Sequence, residues 1–374
     1  MSLLFTPARI ANLELPNRFV RSATNDRFTE GSGFITDRKV ALYSELAAGG
    51  IGLIISSVTS VHPMGKHTVS QMSIAGDEYI PRLKKLTGAV HGKGAKIAIQ
   101  LGHAGREAAA YWNTVNERSL APSAVEGDPY FRGESRAMTE AEIWEVIEAY
   151  GEGARRAREA GFDAVQVHAA HMFLLPQFLS PQTNRRSDRW GGSLGNRLRI
   201  HREIYRAMRK TTGKDYPLFV KLGVQDGFAG GLAFDEGLRA AVELAQLGYE
   251  ALEISQGLRG TPYQETEFRT GIDRREKEAY FRGWAAEVKK NVTVPVIMVG
   301  GLRTFELMEE VVRNGEADFV SLCRPLIREP GIVNEWKRGS RRRAACISCN
   351  KCLEANRRGE ALACIFNRRA DEQA

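Results

Sequence analysis

Residues 161–197 read GFDAVQVHAAHMFLLPQFLSPQTNRRSDRWGGSLGNR. The segment opens on a short apolar run, Ala164 to Val167, with the length and composition of a buried strand. His168 ends the run, His171 follows three residues on, and a turn-rich stretch comes next. Parallel α/β folds keep their chemistry at the carboxyl ends of buried strands, so a polar pair placed there is a candidate for catalysis. The same pair could be structural, one imidazole bonded to a backbone carbonyl and the other facing water. Zinc suits it less, because the spacing is not that of H-E-x-x-H on a helix and no third ligand is near in sequence.

Working outward, similar apolar pulses recur along the chain: Phe19–Ala23, Ile51–Ile55, Lys96–Ile99, Leu218–Leu222, Ala251–Ile254, Val294–Val299 and Phe319–Leu322. With the histidine strand they make up the number that closes a parallel barrel. Helical patterns lie between most of them. Thr139 and Glu142 form a capping box, followed by an apolar stripe at Ile143, Ile147, Tyr150, Ala154 and Ala157. Gly161 is a helix stop, Asp235 caps a helix that Gly248 ends, and Thr304 opens another that stops near Gly315. Strand–helix alternation of this kind predicts parallel strands with crossover helices. The fold expected is α/β, a (β/α)8 TIM barrel over residues 1–340 with a short Cys-rich extension over 341–374. The long stretch from Gly102 to Met138, with Tyr111, Trp112, Tyr130 and Phe131, reads as a lid or binding loop.

The strand ends nominate the site. They carry Gln100, His168, His171, Lys221, Ser255, the pair Gly300–Gly301, and Cys323–Arg324. Gly300–Gly301 is a tight turn or, beside Arg324, the phosphate position that many barrels build after strands seven and eight. Lys221 either snorkels to the rim or holds developing negative charge.

The chain has 374 residues, 43% hydrophobic and 26% charged, an ordinary soluble balance. The N-terminus lacks the apolar core of a secretory signal, and no apolar run reaches membrane-spanning length, so a cytoplasmic protein without membrane partners is expected. Part of the net charge of +8 sits in Lys337, Arg338, Arg341, Arg342 and Arg343. Without a reader motif that run is a solvated face rather than a nucleic-acid site. Of the 5 cysteines, all but Cys323 cluster as Cys346, Cys349, Cys352 and Cys364, a C-x2-C-x2-C-x11-C spacing that points to metal rather than disulfides. Both a [4Fe–4S] cluster and structural zinc fit such a set.

The sequence resembles the old yellow enzyme-like NADH:flavin oxidoreductases, FMN-bearing (β/α)8 barrels. The resemblance runs through Leu4-Phe5, Asn17–Val20, GGIGLII at 49–55, QLGHAGR at 100–106 and LAPSAV at 120–125. It continues through 168–197, VKL at 220–222, VGGLRT at 299–304 and DFVSLCRP at 318–325. It implies that Ala23, Thr24 and Asn25 line the flavin and that Gln100 bonds its pyrimidine end. Lys221 would stand beside N1 and O2, and Gly300, Gly301 and Arg324 would hold the phosphate, with Cys323 beside them. His168 and His171 would polarise a substrate carbonyl, and NAD(P)H would be the electron donor. The substrate implied is a small unsaturated carbonyl compound, reduced as by an ene-reductase, and a homo-oligomer is compatible with the resemblance.

Two departures stand out. Relatives often carry a Tyr two residues after the second histidine as proton donor; here it is Phe173, so protonation falls to water or to a residue such as Tyr263. The cysteine segment resembles the [4Fe–4S] segment of the dienoyl-CoA reductase and trimethylamine dehydrogenase branch, with one residue fewer between the second and third cysteines. That branch continues into an FAD-containing region, which this sequence does not show. An amine dehydrogenase or demethylase, and a non-catalytic metal-stapled scaffold, are therefore the alternatives to an ene-reductase.

Overall fold

The computed structural model describes residues 2–108, 118–125, 134–260 and 266–367. The apolar pulses become eight parallel strands: β1 (Phe19–Arg21), β2 (Leu53–Ser60), β3 (Lys96–Gly102), β4 (Ala164–Ala169), β5 (Leu218–Gly223), β6 (Ala251–Ser255), β7 (Val296–Val299) and β8 (Phe319–Leu322). They pair in chain order, and β8 pairs with β1 to close the barrel. Closure removes every edge, so all strands are buried and read as apolar runs rather than alternating ones. The fold is the expected TIM barrel.

The outer layer comprises α1 (Asp37–Ala48), α2 (Ile80–His91), α3 (Glu140–Glu159), α4 (Arg199–Thr212), α5 (Phe234–Leu247), α6 (Arg282–Asn291), α7 (Phe305–Arg313) and α8 (Ile332–Lys337). In α3 the capping box forms as expected, and Ile143, Ile147, Tyr150, Ala154 and Ala157 are all buried. Gly161 takes the left-handed φ of 83° that ends this segment. Helix α5 begins two residues earlier than expected. Ala233 holds its N-cap position, and Asp235 lies in the first turn, where a carboxylate faces the positive end of the helix dipole.

The sequence pattern did not show how the barrel floor is closed. A hairpin, Ala8–Ile10 with Leu13–Leu15, places Ile10, Leu13 and Leu15 against Val20, Leu53, Ala98, Ala164, Phe219, Ala251, Ile297 and Phe319. This apolar plug fills the interior where the strands start, which leaves their carboxyl ends as the place for chemistry. Of the long stretch 102–138, the described parts include two short paired strands, Ser119–Ala121 and Ser135–Ala137. Tyr111, Trp112, Tyr130 and Phe131 lie outside the described residues. Among the described residues no helix is long and apolar enough to cross a membrane.

Candidate active site

A cavity of about 320 Å³ opens over the carboxyl ends of the strands. Ala23, Thr24, Asn25, Gln100, His168, His171, Lys221, Gly301, Cys323 and Arg324 all line it. Gly300 is set one residue back, its carbonyl accepting from the Tyr280 N–H at 3.1 Å. At Gly301 φ is 72°, and a Cβ would stand 2.8 Å from the Tyr280 ring, so glycine is required twice over.

The histidines are delivered differently. His168 lies in β4, whereas His171 follows it with φ of 58°, and Met172 with φ of 72°. Two consecutive non-glycine residues in the left-handed region mark strain of the kind that collects at functional sites. The turn is held by His171 N–H to Gln256 O at 3.1 Å and Met172 N–H to Gly257 O at 3.3 Å. The rings stand edge to face with centroids 5.2 Å apart. His171 Nε2 meets Ser255 Oγ at 2.7 Å, while His168 Nδ1 is buried without a protein partner. Burial above all holds both imidazoles well below their ordinary pKa; next come the charge of His171 for His168, and of Lys221 for each. Both rings are therefore neutral at pH 7 and offer N–H donors without net charge.

Lys221 does not snorkel. It is 3% exposed, and its Nζ donates to Ser22 Oγ at 2.8 Å and Glu253 Oε1 at 3.1 Å. Glu253, wholly buried, also accepts from Ser22 Oγ at 2.7 Å and from Gln166 Nε2 at 2.9 Å. Gln166 in turn accepts from Gln100 Nε2 at 2.7 Å. Strand register explains the chain: Gln100 pairs with Gln166, and Lys221 with both His168 and Glu253. Sequence reasoning missed Ser22, Gln166 and Glu253. A signal existed, since Gln166–His168 and Glu253–Ser255 are polar residues two apart inside apolar runs, the spacing of one strand face.

At the other end Arg324 Nη1 donates to Arg269 O at 2.7 Å and to Asn350 Oδ1 at 2.6 Å. Asn350 also bonds Phe268 O at 2.6 Å, and Asn356 bonds Asn25 O at 3.2 Å. These contacts fasten the cysteine-bearing segment over the barrel, so Ser348, Asn350, Cys352 and Asn356 become cavity wall. Ser321 Oγ, also on the wall, is buried without a partner. A cavity with two orphaned polar atoms, a glycine turn beside Arg324 and a buried lysine fits a polar ring system bearing a phosphate. Cys323 Sγ lies 3.1 Å from Thr24 Oγ1.

Cys346, Cys349, Cys352 and Cys364 surround a small cavity of about 20 Å³ with Arg324 and Arg328. Burial raises the Cys346 thiol and pushes Cys352 up to about 12. Among the described residues, no three His, Cys, Asp or Glu side chains are grouped as a metal ion needs them. The second half of the 161–197 segment is structural: Asp188 binds Arg186 Nη2 at 2.6 Å and the Trp190 N–H at 3.0 Å, and Asn184 bonds Trp190 O at 2.8 Å. Tyr263 lies outside the described residues. Phe173 lines the cavity with its ring 4.5 Å from His168.

Residues 3–342 match the model of the NADH:flavin oxidoreductase / NADH oxidase family. The chain belongs to this family. It is 35% identical to an NADH oxidase of Thermoanaerobacter brockii, over 93% of this chain and 52% of that one. An NADPH dehydrogenase of Listeria monocytogenes is 34% identical, over 90% and 94% of the respective chains. A solved 2-naphthoyl-CoA reductase complex superposes with a TM-score of 0.90 at 29% identity, covering 97% of this chain and 56% of that chain. The chain thus spans about half the length of several relatives it matches, and nearly all of others.

Proposed function

We propose that the protein is an FMN-dependent oxidoreductase that uses NAD(P)H to reduce C=C bonds conjugated to a carbonyl. The observation that carries this reading is the pair of neutral imidazoles, His168 and His171, sharing one cavity with Lys221, Gln100 and Arg324. Residues 1–340 serve as the catalytic barrel and 341–374 as an extension that binds metal.

FMN, when bound, supplies a hydride acquired from NAD(P)H. Ala23, Thr24, Asn25 and Cys323 would line the ring system, Gln100 would bond its pyrimidine end, and Lys221 would set a positive charge beside that end of the ring. Gly300, Gly301 and Arg324 hold the phosphate. His168 and His171 donate N–H bonds to the substrate carbonyl oxygen, where negative charge grows as the β-carbon gains hydride. Their depressed pKa values keep this donation constant through neutral pH. Phe173 gives no proton to the α-carbon. Tyr280, whose hydroxyl donates to Glu267 O at 2.8 Å and whose pKa burial pushes to about 12, is committed elsewhere. Water or Tyr263, which lies outside the described residues, is left to supply that proton.

The four clustered cysteines share one cavity and would hold a [4Fe–4S] cluster or a zinc ion by closing in on it, since among the described residues no three are already grouped for a metal ion. The raised thiol pKa values of Cys346 and Cys352 mean that metal must displace protons from these two on binding. Iron, sulfide and zinc analysis of anaerobically prepared protein decides between the two. An amine dehydrogenase is the weaker reading, because Arg27, Arg259, Arg303, Arg324 and Arg357 line the cavity and repel a cationic substrate.

The test is anaerobic mixing of the flavin-loaded protein with NADH or NADPH, then with an enone. Bleaching of the flavin followed by reoxidation, with one equivalent of saturated ketone, is expected. A flavin that stays oxidised with both donors, as in a scaffold, overturns the reading.

A further inference from the structure

The cavity carries cations in two places. Arg303 and Arg324 stand with Gly301 at the end we assign to the FMN phosphate. A second set, Arg27, Arg259 and Arg357, surrounds His67: burial first, then the charges of Arg259, Arg27 and Arg357, hold that imidazole at about 4. FMN has a single phosphate, so the second set has no counterpart in the cofactor. The described lining residues include one carboxylate, Glu267, and it is engaged by Arg259 at 2.5 and 2.8 Å.

Arg27 is the telling member. It bonds Ser70 Oγ at 3.0 Å and Asn356 Oδ1 at 3.4 Å, both neutral. Among the described residues no carboxylate pairs with it. Burial alone draws its pKa below the ordinary value. A partly desolvated cation without a counter-charge is costly. Its backbone adds a second cost, a φ of 57° at a non-glycine residue. Two penalties at one cavity-lining residue are offset most simply by a ligand. The subsite adjoins the proposed substrate position: the His67 ring lies 5.8 Å from Phe173, which lies 4.5 Å from His168.

We propose that Arg27, flanked by Arg259 and Arg357, forms a second anion subsite that receives a carboxylate or phosphate carried by the molecule bound at His168 and His171. This rests on the reading of that pair as the carbonyl site. The anion has two sources of the same chemistry, an acidic tail on the unsaturated substrate or the diphosphate of the nicotinamide dinucleotide.

The experiment titrates the oxidised, flavin-loaded full chain with saturated 4-oxo acids of increasing length and with their primary amides. Binding is read from the flavin difference spectrum and by calorimetry. ADP-ribose is titrated in parallel as the dinucleotide probe. The wild type should bind at least one acid, or ADP-ribose, about tenfold or more tightly than Arg27→Gln does, the scale of one charge-assisted hydrogen bond. Arg27→Lys should recover most of that difference, which a merely structural role would not produce. Loss confined to the acids identifies the substrate tail, and loss confined to ADP-ribose identifies the dinucleotide. Equal affinity of Arg27→Gln and wild type for every probe overturns the proposal. Turnover of the matching unsaturated acid and amide is followed separately. If neither is reduced, the ene-reductase reading fails while the affinity ratios still report on Arg27.

Discussion

Lys221 and Arg27 are two cations on one cavity, and the protein treats them in opposite ways. Lys221 is buried in the barrel with Glu253 and Ser22 at hydrogen-bond distance, and Glu253 is tied through Gln166 to Gln100. Its charge is compensated whether or not a ligand is present. Among the described residues Arg27 has only a hydroxyl and an amide oxygen as partners. The contrast teaches that a paired charge inside the barrel belongs to the scaffold as much as to the site, whereas an unpaired charge makes sense only with its ligand.

The sharpest way to break this comparison is to strand Lys221. Glu253→Ala leaves a buried ammonium uncompensated and should destabilise the fold by about 3–5 kcal/mol, the range for half of a buried pair. Denaturant unfolding measures it; a loss below about 1 kcal/mol would place the pair in effective contact with water. The potential gives a second readout, since removing the carboxylate should make bound FMN easier to reduce.

His168→Ala should leave flavin reduction by NAD(P)H nearly intact and slow alkene-driven reoxidation by roughly 10²–10³, the effect of deleting one oxyanion donor. Single-turnover kinetics of the two half-reactions check this. Equal slowing of both would give His168 a structural role.

Arg324→Ala should weaken FMN by about 1.5–3 kcal/mol, the worth of a hydrogen bond to a charged group. Equilibrium dialysis reports it, and full retention of flavin would move the phosphate elsewhere. The smallest effect belongs to Arg27. Arg27→Gln should change stability by no more than about 0.5 kcal/mol, or raise it slightly, because no ion pair is lost. A large loss of stability would make Arg27 a scaffold residue like Lys221.

Much of this was legible beforehand. The eight apolar pulses gave the strands, because a barrel buried on both faces leaves its strands no alternation to hide in. The strand-end residues His168, Lys221 and Arg324 could be nominated because parallel α/β barrels put chemistry at that face. Glu253 could not be named as Lys221's partner, since the pairing depends on the register of β5 against β6, set by barrel closure rather than by either strand. The floor hairpin escaped notice because each of its strands is three residues long, too short for a periodic signal.

The sequence alone thus determined the barrel, its strand order, the family and the strand-end residues that line the cavity, since these follow from local apolar runs and motifs contiguous in the chain. Tertiary structure decided which charges are paired and which are not, because ion pairing is settled by contacts between residues far apart in sequence. Glu253 neutralises Lys221 from the adjacent strand, the cysteine segment folds back to wall the cavity through Asn350 and Asn356, and Arg27 is left facing that cavity without a carboxylate partner among the described residues.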